Sequence, residues 1–239
     1  MKAAITQPNF LPWIGYFDLL DEVDLFVALD NVQCVNRSFI VRNRIKSPNG
    51  DAKWLTVNLN KVSRSDLINQ VTLKEGAWYQ SHIDKIKSYY HKAPYFEKYF
   101  DLIGNALIPR TEEKTLESYN IRLIQFFADI LNIETRIVKA SDAIQNLEGE
   151  AEDKILQLCK FYKVSDYYNF QKGVDVGLYH PEHFANASIS LNKHIYNHPE
   201  YNQIHGDFLP YLSIVDLLFN EGDKSFEILK SGSKWEQLA

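Results

Sequence analysis

Four short stretches of this chain carry side chains whose types and spacing suit chemistry. The first is Gln7-Pro8-Asn9-Phe10-Leu11-Pro12-Trp13. Its two prolines each fix φ, so the loop has little entropy left to lose when something binds to it. Gln7 offers amide donors and an acceptor, suited to a hydroxylated substrate or a base. Gly15, in the expected first helical turn, leaves room for another backbone or a phosphate. Trp13, Tyr16 and Phe17 also fit plain packing of a helix onto a sheet. The second stretch, Asp30-Asn31-Val32-Gln33, adds a carboxylate and an amide. The third is Arg42-Asn43-Arg44. In a strand side chains alternate, so Arg42 and Arg44 share one face and Asn43 takes the other. Two guanidiniums side by side form a planar donor surface for phosphate or carboxylate. Neutralisation by Asp30, or a solvated basic face, is the plainer account.

The fourth stretch runs from His194 to Phe208 and holds His194, His198 and His205 with Tyr196, Tyr201 and Gln203. Histidine titrates near neutrality, so any of the three could serve as a base. His194 and His198 have an HxxxH spacing, but Pro199 and the Asn, Tyr and Gly content predict a loop. There that spacing does not align ligands, and no metal site is expected. Ser213 followed by Asp216 matches a capping box, and Gly222 matches a helix stop. Gly222-Asp223-Lys224-Ser225 lacks the first glycine and the preceding strand of a phosphate loop. No GxSxG, HExxH, dinucleotide-binding glycine fingerprint or Ser/His/Asp pattern is present.

The elements that must position these residues follow from hydrophobic period and turn chemistry. Ala3 to Ile5 and Leu25 to Leu29 read as strands flanking a helix, the length of a βαβ crossover. In parallel sheets the loops leaving the strand C-termini form the ligand crevice, which places Gln7 to Trp13 and Asp30 to Gln33 there. The stretches Phe39 to Ser47 and Ala52 to Leu59 predict a hairpin turning at Pro48-Asn49-Gly50. A helical insertion spans about 78–131. Pro94 and Pro109 break it into three helices, with Thr111 capping the third. A strand over 135–139, a helix over 151–162 and a short strand over 166–168 form a second crossover. The expectation is one α/β domain over 1–239, with a Rossmann-like, parallel-containing sheet, a β-hairpin and a central helical insertion.

With 239 residues and 45% apolar content, a large core is available. The net charge of −5 argues against coating nucleic acid. No signal-peptide pattern and no run of transmembrane length stands out, so no membrane partner and a cytoplasmic location are expected. Cys34 and Cys159 form no CxxC pair and read as reduced thiols.

Taken together, QPNFLPWIGYF, LDNVQ with RNRIK, WLTVNL, YNHPEYNQ and LSIVDLLFN resemble the WbqC-like family over residues 3 to about 222. The matching positions are Gln7, Pro8, Pro12, Gly15, Tyr16, Phe17, Asp30, Val32, Arg42, Asn43, Arg44 and Ile45, then Tyr201, Gln203, Leu212, Ser213, Asp216 and Asn220. Thr6 departs from the His or Met usual there, and Asn169 to Lys172 replaces a Ser-Gly type turn. The resemblance implies a cytoplasmic step in making a modified sugar for bacterial O-antigen or lipopolysaccharide. The usual proposal is attachment of an amino acid such as glycine to an amino-sugar nucleotide.

Such a transferase needs a base, donors for the tetrahedral oxyanion and cations for a diphosphate. On the resemblance, His198 or Asp30 is the base, and Arg42 and Arg44 hold the diphosphate or an acyl phosphate. Gln7, Asn43 and Tyr16 read the sugar or acyl group, and Trp13, Gly15, Asn31, Tyr201, Gln203 and Asp216 complete the substrate site. The partners implied are a nucleotide sugar and an acyl or aminoacyl donor, with the cofactor left open. The first βα unit also resembles that of nucleotidylyltransferases, with Tyr16 where their helix has His, which would imply ATP-dependent carboxylate activation. A non-catalytic nucleotide-sugar binder is the other reading. An enzyme would bring Asp30, Arg42 and His198 into one pocket, whereas a binder needs only the arginines and aromatics.

Overall fold

Ala3, Ala4 and Ile5 are apolar at consecutive positions, the mark of a strand covered on both faces. A computed structural model, which describes residues 1–238, buries all three at the centre of a mainly parallel sheet. The chain runs β1 (Lys2–Thr6), α1 (Ile14–Asp21), β2 (Leu25–Ala28) and then a separate antiparallel hairpin, β3 (Arg42–Lys46) with β4 (Ala52–Thr56). Helices α2 (Gln80–Tyr90), α3 (Phe96–Ala106) and α4 (Leu116–Ile130) follow. Next come β5 (Arg136–Lys139), α5 (Ala140–Ala143), α6 (Ala151–Tyr162), β6 (Asp166–Phe170), α7 (Gln171–Asp175) and α8 (Pro181–Asn186). The chain closes with β7 (Ser190–His194), α9 (Ile214–Glu221), α10 (Ser225–Ser231) and β8 (Trp235–Gln237).

The sheet order is β5-β2-β1-β6-β7-β8, parallel except for β8 at the edge. This is the doubly wound Rossmann order, in which the chain works outward from β1 on one side and then resumes on the other. Alternation within each strand separates the two cores. Ala4, Phe26, Ala28 and Tyr168 join α1, α4 and α9 on one face. Ala3, Ile5, Leu25, Val27 and Tyr167 join α5, α6 and α8 on the opposite face. Among the described residues no helix is long and apolar enough to cross a membrane. Both cysteines are free and buried, and burial pushes the Cys159 thiol up to about 12.

The expected βαβ unit, hairpin and second crossover are all present. Gly50 closes the hairpin turn at φ +83°, in the left-handed region that favours glycine. The third helix of the insertion starts at Leu116 and is capped by Thr115, whose side chain accepts from the Ser118 N–H. Thr111, the expected cap, sits in the preceding turn. There Glu113 is already committed to Arg122 and to the Arg110 N–H, which holds residues 110–114 out of the helix.

Candidate functional site at the sheet switch point

Strands β1 and β6 are neighbours in the sheet but leave it in opposite winding directions. Their C-terminal loops therefore part and open a crevice. A cavity of about 750 Å³ lies there. Thr6, Gln7, Asn9 and Trp13 line it from the first loop, and Asn169 to Gly173, Asp175, Val176, Leu178 and Tyr179 from the second. Phe39, His194, Tyr196 and Tyr211 complete the wall.

The first loop is held rigidly, and the densest sequence motifs supply the clamps. The Tyr16 hydroxyl donates to the Gln7 carbonyl at 3.0 Å, and Asn120 donates to that of Pro8 at 2.9 Å. The Asn43 amide donates to the carbonyls of Phe10 and Leu11 at 3.2 and 2.7 Å. The Ile214 N–H serves Pro12 at 2.8 Å, and the Phe10 N–H donates to Phe39 at 2.9 Å. Five loop carbonyls thus accept from fixed donors, a preorganised backbone. Gly15 also has a structural reason: the Trp13 indole covers it so closely that a Cβ there would lie 2.2 Å from the ring. What approaches Gly15 is therefore an aromatic side chain. Burial raises the Tyr16 pKa, which keeps the phenol a neutral donor.

Within the crevice, His194 ends strand β7 and is 1% exposed. Its Nε2 lies 2.6 Å from Oδ2 of Asp18 in α1, and Trp235 stacks on the ring at 4.2 Å between centroids. Lys230 Nζ lies 3.0 Å from Asp18 Oδ1. Burial would raise the Asp18 pKa, but hydrogen bonds from His194 and Ser233 and the Lys230 charge outweigh it, so the net shift is downward. An ionised Asp18 accepts the Nε2 proton. In the neutral ring this leaves the lone pair on Nδ1, a buried atom with no hydrogen-bond partner among the described residues. Such a pair can take a proton from a substrate and stabilise the resulting imidazolium. Around it, the side chains of Gln7, Asn9 and Lys172 make no hydrogen bond or ion pair with other described residues. The aromatic lining is coherent, with Trp13 meeting Tyr196 edge-on at 5.2 Å and Tyr211 at 5.4 Å.

The other residues singled out in the sequence lie elsewhere. Asp30, Arg42 and His198 do not converge on one pocket. Asp30 is fully buried and accepts from the Ser141 N–H at 2.9 Å, the Ser141 hydroxyl at 2.6 Å and the Asn69 amide at 3.4 Å, anchoring the start of α5. Asn31 donates to the carbonyls of Ile144 and Gln145 and braces the same corner. His198 sits one layer behind the wall, stacked on Trp13 at 6.2 Å, with Nδ1 donating to the Pro199 carbonyl at 2.9 Å. Burial lowers its pKa and favours the neutral ring.

Strand alternation places Arg42 and Arg44 on one face, and both lie over Trp54, at 4.1 and 5.8 Å from the ring centre. Arg44 also donates to the carbonyl of Tyr211, a wall residue, at 2.9 Å. Tyr201, Gln203 and Asp216 form a core network instead. Asp216 accepts from Tyr90 at 2.6 Å and Tyr201 at 2.8 Å, while Lys46 Nζ donates to Gln203 at 3.0 Å. The cap of α9 is Ser213 alone, because the Asp216 side chain faces those phenols. His194 was within the histidine cluster read from the sequence, but Asp18, its partner 176 residues away, was not singled out.

Comparison with known proteins agrees with the motif resemblance. The model of the WbqC-like protein family matches residues 7–228. A Mycobacterium tuberculosis protein described as uncharacterized protein Rv1507c is 31% identical over 232 residues, covering 96% of this chain and 97% of that protein. No solved structure matches.

Proposed function

Since the chain belongs to the WbqC-like protein family, we propose that it is a cytoplasmic enzyme of bacterial surface-polysaccharide synthesis. On this reading it transfers an aminoacyl or acyl group to the amine of an amino-sugar nucleotide, with the switch-point crevice as its site. The observation that carries the reading is the Asp18–His194 pair. It is a buried, oriented imidazole lining a cavity with free amide and ammonium groups beside it.

In the reaction, the incoming substrate displaces the wall side chains that cover His194 Nδ1, which then removes a proton as the sugar nitrogen attacks the carbonyl carbon of an activated acyl donor, a thioester or acyl phosphate. The N–C bond forms, and the amides of Gln7 and Asn9 donate to the tetrahedral oxyanion. The bond to the thiolate or phosphate then breaks, and the leaving group departs with the proton from the imidazolium. Asp18 keeps the ring in one tautomer and balances its charge. Lys172 serves the phosphate nearest the pocket. Arg42 and Arg44, which border the wall through Phe39 and Tyr211, serve the outer phosphate.

The test uses amino-sugar nucleotides with acyl donors of both kinds, following thermal midpoint and amide product. A ligand bound only by the native state raises the midpoint by mass action. The expected result is a nucleotide-sugar shift in both the wild type and His194→Gln, with product from the wild type alone. A shift without product from any donor would favour the non-catalytic binder, and equal turnover by His194→Gln would remove His194 as base.

A further inference from the structure

On the face of the sheet covered by α6 and α8, a second cluster of chemistry-bearing side chains stands apart from the crevice. Glu152 is in the first turn of α6, and His180 and His183 sit at the start of α8. The Nδ1 atoms of His180 and His183 lie 3.0 and 2.9 Å from the same carboxylate oxygen, Glu152 Oε2. The other oxygen, Oε1, accepts the His180 backbone N–H at 2.7 Å, which fixes the orientation of the carboxylate. Pro181, at the first helical position, fixes the backbone between the two rings. The three donor atoms lie within 4.8 Å of one another.

We propose that Glu152, His180 and His183 form a binding site for a divalent transition-metal ion of the zinc type. Two imidazole nitrogens and one carboxylate oxygen are a donor set that such ions favour, at metal–ligand distances of about 2.0–2.2 Å. Donor atoms 2.9–3.0 Å apart need move only a little to share an ion at that range. Glu152 is 12% exposed, whereas both rings are 52% exposed. A hydrogen-bonded trio half in water gains little over solvation, but a bound ion would gain from the convergence. Glu182 and Asp153 bring further negative charge to the neighbourhood, which favours a cation. Three protein ligands leave a coordination position for water or an incoming anion. His180 follows Tyr179 directly, so the ion would fasten the end of the 169–179 wall of the crevice to α6.

The site is independent of the transferase reading, and its test reads metal binding itself. The full chain, free of any polyhistidine tag, is titrated with Zn²⁺ by calorimetry and with Co²⁺ by visible absorption. Expected is saturable binding of one ion, with a Co²⁺ spectrum typical of nitrogen and oxygen ligands. Affinity should fall by about tenfold or more in both Glu152→Gln and His183→Gln, and as pH drops and protons compete for the rings. His91→Gln, which alters an exposed histidine elsewhere, should bind as the wild type does. Circular dichroism checks each fold, and His180→Gln, altered at an exposed ring, is a further ligand variant. Absence of saturable binding by the wild type, or unchanged affinity in the ligand variants, would overturn the site.

Discussion

Asp18, midway along α1, and Asp216, in the first turn of α9, are fully buried carboxylates on two short, largely buried helices. Their partners set them apart. Asp18 faces an imidazole at 2.6 Å and an ammonium at 3.0 Å, which more than offset its burial and keep it ionised at neutral pH. Asp216 faces two phenols and the charge of Lys46, which do not offset its burial, and its pKa is raised. A phenol donates a hydrogen bond but brings no charge, so it orients a carboxylate without fully supporting ionisation. The first arrangement prepares a histidine beside a cavity. The second pins the 201–209 loop and helix α2 to α9.

The comparison breaks most easily at Asp18. Asp18→Asn keeps the side chain's shape but removes the charge that orients His194 and supports its imidazolium. Amide formation should fall by about 10³-fold, or about 4 kcal/mol of barrier, while nucleotide-sugar binding followed by thermal shift persists. A variant with near-normal turnover would leave the dyad without a catalytic role. At Asp216 the damage should be structural. Asp216→Ala strands two buried phenols and leaves Lys46 with less compensation, costing about 3 kcal/mol in urea unfolding. A loss well under about 1 kcal/mol would mean the network adds little.

The opposite pKa directions also predict opposite pH slopes. The Asp18 contribution is present above the ordinary aspartate value and is lost as pH falls through its lowered folded value. For Asp216, stability falls as pH rises from the ordinary value through its raised folded value. Each slope is at most about 1.4 kcal/mol per pH unit. Measured from about pH 3 to about pH 7, wild-type stability minus that of Asp18→Asn should grow with pH, and wild type minus Asp216→Asn should shrink. Slopes of one sign would erase the contrast. The smallest effect belongs to the arginine pair. Replacing both half-buried Arg42 and Arg44 by Ala should weaken binding of a diphosphate sugar by about fivefold, the size of a charge-assisted contact partly open to water. Binding of the same sugar without its diphosphate should not change. Equal loss for both ligands would place the arginines' role in packing on Trp54.

Much of the frame was legible because it is written in local patterns. The apolar runs around Ala4 and Phe26, the Pro-Asn-Gly turn and the 3.6-residue spacing from Leu116 to Leu131 each indicate their element without tertiary information. The Gln7–Trp13 loop follows the C-terminus of β1, as its prolines and the preceding apolar run indicate. The Asp18–His194 pair is less legible. Strand β7 reads Ser-Leu-Asn-Lys-His, polar enough to pass for loop, so the sequence pattern puts His194 at the start of a loop, whereas the structure makes it the end of a strand. Asp18 lies in a helix whose first seven residues are all buried, which leaves no amphipathic stripe to mark an inward-facing acid. Asp30 carries a titratable group at a strand end, but its hydrogen bonds with Ser141, 111 residues away, are not visible in the sequence, and the burial of His198 behind Trp13 is likewise a tertiary fact.

The two walls of the crevice are built differently. On one side, the loop carbonyls of residues 7, 8, 10, 11 and 12 are all committed to fixed donors, so its outline is set before any substrate arrives. On the other, residues 169–179 are threaded through one short helix. Thr6 and the Asn169–Lys172 turn both line the cavity. On the proposed function, redirecting the crevice to a different sugar or acyl group would be a matter of exchanging one contiguous cassette opposite a fixed template, with the Asp18–His194 pair between α1 and β7 left untouched.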